Sequence, residues 1–329
     1  MIKIAFFDAK EYDRAFFNAA NDGRFQIEYL DTKLNHTTAQ LAQGFEVVCA
    51  FVNDTLDSTV LQTLREGGVR VIAMRCAGFN NVDLSAAKAL SLPVFRVPAY
   101  SPYAVAEHAV GMLLTLNRKL HKAYVRTKDF NFSLTGLLGF DLHGKTTGVI
   151  GTGKIGKAFI SICKGFGMNV IAYDAYPDTR SDIKYVSLDT LFRDSDIISL
   201  HCPLTKETRH LINRDSISKM KKGVYIVNTS RGGLVETGAL LLALDNKVGG
   251  ACLDVYEEEA GLFYEDNSTR YIQDEVLSLL VTRPNVLITS HQGYFTEDAL
   301  TAIAETTLDN IENYLQSGDM TNAIEYTAT

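Results

Sequence analysis

Nine residues near the middle of the chain limit the possible folds more than any other stretch: Gly148-Val149-Ile150-Gly151-Thr152-Gly153-Lys154-Ile155-Gly156. A G-x-G-x-x-G pattern alone is weak, because glycine-rich turns are common. The flanks make it specific. Thr146–Ile150 reads as an apolar strand leading into it. Ile155, Phe159, Ile162 and Phe166 follow at helical spacing. Val170-Ile171-Ala172-Tyr173-Asp174 then reads as a strand tipped by an acid, eighteen positions after Gly156. Strand, glycine turn, helix and acid-tipped strand together make the dinucleotide fingerprint of a βαβ unit.

Each position has a physical task. Gly151 permits the tight turn, Gly153 lets backbone approach a pyrophosphate, and Gly156 allows close packing of helix on strand. Lys154 and Ile155 open the helix, whose N-terminus offers free N–H groups and a positive dipole end to phosphates. Asp174 is placed to accept from ribose hydroxyls, and its charge repels the extra phosphate of NADP. Ala175, Tyr176 and Pro177 follow, so no adjacent arginine binds that phosphate. The expected cofactor is NAD.

The fingerprint lies mid-chain, with a complete α/β series ahead of it. Short apolar runs at Ile2–Asp8, Phe25–Asp31, Glu46–Val52, Val69–Arg75 and Pro93–Val97 alternate with gaps that can hold helices. A second strand series runs through Thr146–Ile150, Asn169–Tyr173, Asp196–Leu200, Gly223–Asn228, Gly249–Leu253 and Val286–Ser290. This alternation predicts two α/β, Rossmann-like or flavodoxin-like parallel-sheet domains with a cleft between them. Ser101-Pro102 opens a long amphipathic helix over 101–127, with Val105, Ala109, Met112, Leu113, Leu116 and Leu120 on its apolar face. The last helix starts near Thr296 and suits an end at Gly318. The expected division is a substrate domain of 1–100 and 299–329 around a dinucleotide domain of 101–298.

Composition narrows the partners. With 46% hydrophobic and 22% charged residues the chain is globular rather than disordered. Thirty-two basic against 39 acidic residues give a net charge of −7, so no nucleic acid and no anionic membrane surface is expected as partner. No apolar run approaches the roughly 20 residues that span a bilayer, and the start lacks a basic region followed by a cleavage site. Five scattered cysteines without a C-x-x-C pair argue against a disulfide framework or a metal site and fit a reducing cytoplasm.

Ligands of an open α/β sheet bind outside the carboxyl ends of its strands. There stand His201, Arg231, Asp254, the run Glu257-Glu258-Glu259, and His291. Reduction of a 2-keto acid by NADH needs a proton donor, for which histidine is best suited, and an arginine fork for the carboxylate. A carboxylate behind the histidine orients its ring. Spacing alone does not choose between His201 and His291, or among the three glutamates. His108, beside Glu107, reads as a packing or interface residue.

These segments together resemble the D-isomer-specific 2-hydroxyacid dehydrogenases over the whole chain, and within that family the fermentative D-lactate enzymes. The carrying stretches are Phe51-Val52-Asn53-Asp54, Arg75–Asp83, Pro98–Pro102, Asn228–Gly232, Asp254–Glu259 and Ser290-His291-Gln292. The resemblance implies that Arg231 binds the substrate carboxylate and carbonyl, that His291 is the general acid/base, and that Glu259 supports it. It assigns Cys202, Pro203, Thr208, Thr229, Ser230 and Asp254 to the cofactor. It gives the substrate Phe51, Ala77, Gly78, Tyr100 and Tyr294, and pyruvate and D-lactate as the pair interconverted. It also implies a homodimer or homotetramer built partly on the helix at 101–127. Lactate enzymes of the family usually carry Ala-Phe where this chain has Gly293-Tyr294. The rival expectations are a reductase for another 2-keto acid, and an NAD-sensing corepressor-like scaffold. The three retained catalytic residues weigh against the scaffold.

Overall fold

The computed structural model describes residues 1–326. The chain forms two compact units: Met1–Ser101 with Phe295–Thr329, and Pro102–Tyr294.

The first unit carries β1 (Lys3–Phe6), α1 (Glu11–Asn21), β2 (Gln26–Tyr29), β3 (Val47–Ala50), α2 (Ser58–Glu66), β4 (Val71–Met74), α3 (Leu84–Ala89) and β5 (Val94–Phe95). Its sheet is parallel, in the order β2-β1-β3-β4-β5. β3 and β4 are buried at every position, as strands covered on both faces must be. Asp57 and Asp83 cap α2 and α3 through the N–H groups of Val60 and Ala86. The terminal helix Glu297–Ser317 packs on α1, β4 and β5. Thr296 caps its start, and Gly318, at φ 72°, ends it. Beyond it, Ile324 N–H donates to Val94 O (2.8 Å) and Arg96 N–H to Asn322 O (3.2 Å), so the chain end covers the β5 edge.

The second unit carries α4 (Pro102–Arg118), α5 (Leu120–Lys128), β6 (Thr146–Ile150), α6 (Lys154–Gly165), β7 (Asn169–Tyr173), α7 (Leu188–Asp194), β8 (Ile197–Leu200), α8 (Arg214–Lys219), β9 (Val224–Asn228), α9 (Thr237–Ala243), β10 (Val248–Leu253), α10 (Glu275–Thr282) and β11 (Val286–Ile288). Its sheet order is β11-β10-β9-β8-β6-β7, all parallel. Tyr185 adds a parallel bridge to Ala172 outside β7. With that bridge as the third strand, the order becomes the 3-2-1-4-5-6 of dinucleotide-binding sheets with β11 added as a seventh strand beside β10. The connection reverses between β6 and β8, where such sheets bind ligands. Successive residues point to opposite faces. Val149, Ala172, Ile197, Val227 and Cys252 pack with α4 and α6. Ile150, Ile171, Ile198, Ile226 and Ala251 pack with the helices opposite.

Apolar spacing predicts one helix over 101–127; the structure divides it. Lys119 takes a left-handed φ of 54° between α4 and α5. One residue earlier than Arg118, the buried Asn117 is tied to Phe140, donating Nδ2–H to its carbonyl (2.7 Å) and accepting its N–H (2.9 Å). The tie turns α4 at its end, and Leu120 stands exposed instead of on the apolar face. The strands at Ile2–Asp8, Phe25–Asp31, Glu46–Val52, Val69–Arg75, Pro93–Val97 and Val286–Ser290 are also shorter than their apolar runs, because their ends turn into loops. No helix among the described residues is long and apolar enough to cross a membrane.

Candidate active site

The glycine turn sits at the reversal between β6 and β8. Gly151 has φ +93°, and a Cβ there would lie 2.6 Å from the backbone of His201 and Cys202. A Cβ on Gly156 would lie 2.0 Å from Gly151 O. A side chain at Gly151 would push the turn off the end of β8, and one at Gly156 would drive α6 away from the turn. Beside Gly153, in contrast, a Cβ would meet open space. That opening, directly at the N-terminus of α6, suits a phosphate.

Asp174 follows β7 and turns back over the glycine loop. One oxygen accepts from Thr152 N–H (2.6 Å) and Thr152 Oγ1 (2.9 Å), the other from Tyr176 N–H (2.9 Å). Burial raises its pKa, but these bonds outweigh burial and hold the carboxyl below its ordinary value. Cys202 is buried, and burial pushes its thiol up to about 11. Pro203 O accepts from Thr208 Oγ1 (2.7 Å), closing the loop after β8. Ser230 Oγ donates to Cys202 O (2.8 Å). Thr229 Oγ1 is buried and bonds to nothing among the described residues. An orphaned hydroxyl, an open glycine and a helix N-terminus at one strand reversal fit a dinucleotide.

Arg231 follows β9. The buried Asn228 organises its loop, accepting from Ser230 N–H (3.1 Å) and donating to Arg231 O (2.9 Å). The guanidinium donates to Ser230 O (2.7 Å), and no carboxylate pairs with it among the described residues. A Cβ on the next residue, Gly232, would lie 2.0 Å from Tyr256 O, so this loop lies directly on the Asp254–Glu259 segment.

Within that segment the three acids separate. Glu257 accepts from His210 Nε2 and the Thr237 hydroxyl (3.2 Å). Glu259 takes Tyr256 N–H on Oε2 (3.0 Å) and lies 3.0 Å from His291 Nδ1 through Oε1. Glu258 has neither partner. With Nδ1 facing Glu259, the ring of His291 keeps Nε2 for another group. His291 itself has φ 56°, a left-handed conformation that is uncommon outside glycine. His201 differs in environment. Its Nε2 bonds Ser199 Oγ (2.8 Å), its ring stacks near Phe159, and no carboxylate faces it. Although part of the residue reaches solvent, desolvation pushes its pKa down to about 3. It therefore stays neutral and has no imidazolium proton to donate near pH 7.

Asp254, expected at the cofactor, is fully buried, and its carboxylate organises the turn around His291. Oδ1 accepts from Gln292 N–H (2.9 Å) and Thr289 Oγ1, and Oδ2 from Gly293 N–H (2.8 Å). Its backbone carbonyl accepts from His291 N–H (2.7 Å). His108, expected only to pack, lies 3.2 Å from Asp254 Oδ1. Nothing local signals that contact, since His108 and its other partner, Thr289, are 181 positions apart. Tyr294, half-buried, ends this unit.

The first unit holds the other substrate candidates at its strand ends. Phe51 follows β3. Its N–H donates to Asp54 Oδ2 (2.7 Å), its carbonyl accepts from Asn81 (2.9 Å), and its ring lies 4.8 Å from the Arg75 guanidinium. Burial raises the Asp54 carboxyl to about 6 against the pull of Arg75 and two backbone N–H groups. Ala77 and Gly78 follow β4, with their carbonyls taken by Arg96 (3.2 Å) and Cys76 (3.3 Å). Their N–H groups, half-exposed, bond to no described residue. Tyr100 lies at the unit's boundary, half-buried. Among the described residues no cluster of side chains could hold a metal ion.

Residues 110–293 match the family described as D-isomer specific 2-hydroxyacid dehydrogenase, NAD binding domain. The chain is 53% identical over 323 residues to the D-lactate dehydrogenase of Escherichia coli (strain K12), covering 97% of this chain and 98% of that one. It superposes on the apo-structure of the E. coli D-lactate dehydrogenase with a TM-score of 0.91 at 49% identity, covering 98% of this chain and 100% of the other. A structure described as the pyruvate reductase of Chlamydomonas reinhardtii matches at TM-score 0.94 and 42% identity, with 98% of each chain covered. With fold, cofactor turn and full-length similarity in agreement, the chain belongs to the D-isomer-specific 2-hydroxyacid dehydrogenases, NAD-dependent oxidoreductases.

Proposed function

We propose that the protein is a D-lactate dehydrogenase that reduces pyruvate to D-lactate. The carrying observation is the His291–Glu259 pair, with Nδ1 turned to the carboxylate at 3.0 Å and Nε2 left over. The similarity to D-lactate dehydrogenases along the whole chain supports the substrate.

In this reading the Arg231 fork binds the carboxylate of the keto acid and polarises the adjacent carbonyl. The N–H groups of Ala77 and Gly78, which bond to no described residue, are donors for a substrate carboxylate. Phe51, Tyr100 and Tyr294 shape the space for the methyl group. Bound NADH supplies the hydride that the carbonyl carbon accepts. His291 gives the proton on Nε2 to the carbonyl oxygen, and Glu259 holds the ring and balances its positive charge before that transfer. Lys154 and Ile155 at the start of α6, the three glycines, Asp174, Cys202, Pro203, Thr208, Thr229 and Ser230 form the cofactor surface.

Two further parts of this reading concern the setting. Leu120, Tyr124, Val125, Phe130, Phe132, Leu134 and Leu138 all stand exposed along one segment. Such a patch is more than a soluble monomer ordinarily leaves to water. It supports a homodimer or homotetramer, which light scattering measures. Five buried cysteines, none in a disulfide among the described residues, support a reducing, cytoplasmic setting.

The second reading is a reductase for another 2-keto acid. It is favoured by Tyr294 and Gly293, which stand where lactate enzymes usually have Phe and Ala. The test is kcat/KM for pyruvate, glyoxylate, hydroxypyruvate, phenylpyruvate and 2-ketoisocaproate. Pyruvate is expected to lead; a higher value for any of the others overturns the lactate assignment.

A further inference from the structure

Past β11, Thr289 N–H to Leu253 O (3.0 Å) and His291 N–H to Asp254 O (2.7 Å) tie the loop that bears His291 to the end of β10. Thr289, Gln292 and Gly293 also bond one buried carboxylate, that of Asp254. The conformation it maintains is unfavourable on its own, since His291 has φ 56°. A non-glycine residue there relaxes unless its surroundings fix it. The Asp254 oxygens do the fixing, through the N–H groups of Gln292 and Gly293.

His108, one turn before Met112 on α4, holds the Asp254 carboxylate from the helix side. Its Nε2 lies 3.2 Å from Asp254 Oδ1 and 3.1 Å from Thr289 Oγ1. A carboxylate only accepts, and the Thr289 hydroxyl already donates to Asp254. Nε2 therefore carries the hydrogen and donates to both. Thr289 also contacts Met112 Sδ (3.6 Å), so α4 braces the loop at two points. Gly293 belongs to the same arrangement. A Cβ there would lie 2.9 Å from Asp254 Oδ2 and 3.5 Å from His108 Cδ2. The glycine at this position is what allows the carboxylate and imidazole to close on the turn.

We propose that His108 is a positioning residue: its Nε2–H holds the Asp254 carboxylate, and through it the Gln292–Gly293 turn that keeps His291 in its left-handed conformation. The inference rests on the assignment of His291 as proton donor. His108 itself touches neither substrate nor reacting atoms in this role.

The test compares wild type, His108→Ala and His108→Gln in the full chain. Glutamine presents an amide N–H near the position of Nε2. For His108→Ala, kcat with NADH and pyruvate is expected to fall on the order of 10- to 100-fold, the effect of a misplaced reacting group. The pyruvate KM is expected to change by less than about threefold, because Arg231 is held on another loop. His108→Gln is expected to recover most of kcat. Amide hydrogen exchange at Gln292 and Gly293 is expected to accelerate at least about tenfold in the alanine variant and to return toward wild type with glutamine. Unchanged kcat and exchange in His108→Ala, or a glutamine variant as impaired as the alanine one, overturns the proposal. If His108→Ala does not fold, His108→Asn, whose amide is one methylene shorter than that of Gln, takes its place. Exchange is read without turnover, so a wild type inactive on pyruvate overturns the lactate reading and leaves the exchange comparison to decide the role of His108.

Discussion

Replacement of Glu259 by glutamine keeps the side chain's size and removes its charge, and the structure says which bond must fail. Both carboxylate oxygens accept: Oε1 faces His291 Nδ1 at 3.0 Å and Oε2 takes Tyr256 N–H at 3.0 Å. Glutamine has one acceptor oxygen. If it faces His291, the amide NH2 faces the N–H of Tyr256; if it faces Tyr256, the NH2 faces the imidazole N–H. One of the two bonds is lost in either orientation, and the positive ring loses its counter-charge. A hydrogen bond to a charged group is worth about 1.5–3 kcal/mol. The side chains of His291 and Glu259 are 20% and 27% exposed, so water screens part of this and the lower end applies. About 1.5 kcal/mol is roughly a 13-fold change in rate. Steady-state loss of NADH absorbance with saturating pyruvate should therefore show kcat for Glu259→Gln lowered about 10- to 30-fold, while NADH affinity holds. A kcat within about twofold of wild type would refute Glu259 as the partner of the proton donor.

Other outcomes follow from the same geometry. Arg231→Lys replaces a fork by a point charge, so kcat/KM for pyruvate should fall at least about tenfold with NADH binding unchanged; normal pyruvate kinetics would remove Arg231 as the anchor. Asp174→Ala should raise the NADPH-to-NADH ratio of kcat/KM by on the order of tenfold, since the charge repelling the extra phosphate is gone; an unaltered ratio would mean that the ribose is read elsewhere. His201 is neutral in the folded protein down to about 3, whereas an unfolded histidine protonates near 6.5. Its depressed pKa contributes stability above the unfolded value, and that stability is lost as pH falls from about 6.5 toward 3 by roughly 1.4 kcal/mol per unit. Denaturant unfolding at pH 7 and pH 5 should then show wild type losing about 2 kcal/mol more than His201→Gln, and equal losses would contradict the desolvated ring.

Much of this protein is written locally. β6 and β7 have the bounds that Thr146–Ile150 and Asn169–Tyr173 predict. The glycine turn is legible because Gly151 and Gly156 answer close backbone approaches that no other residue tolerates. What escapes is set by contacts far apart in sequence. Lys119 carries no breaker signal, and the bend there follows from Asn117 gripping Phe140. The choice of Glu259 over its two neighbours depends on where the turn after β10 points each side chain. His108 reads as an ordinary helix residue until β10 and the loop after β11 bring Asp254 and Thr289 against it. The third strand of the dinucleotide sheet shrinks to a bridge at Tyr185, too short for any apolar run to announce.

The central claim is that this chain moves a hydride from NADH to pyruvate with His291 delivering the proton, and that the product is the D-isomer. Purified protein, NADH and pyruvate can be taken to completion and the lactate resolved on a chiral column, with His291→Gln run beside it. D-lactate equal to the NADH consumed is expected in wild type, and at least about a hundredfold slower formation in the variant. L-lactate, no lactate, or undiminished turnover by His291→Gln would contradict the claim.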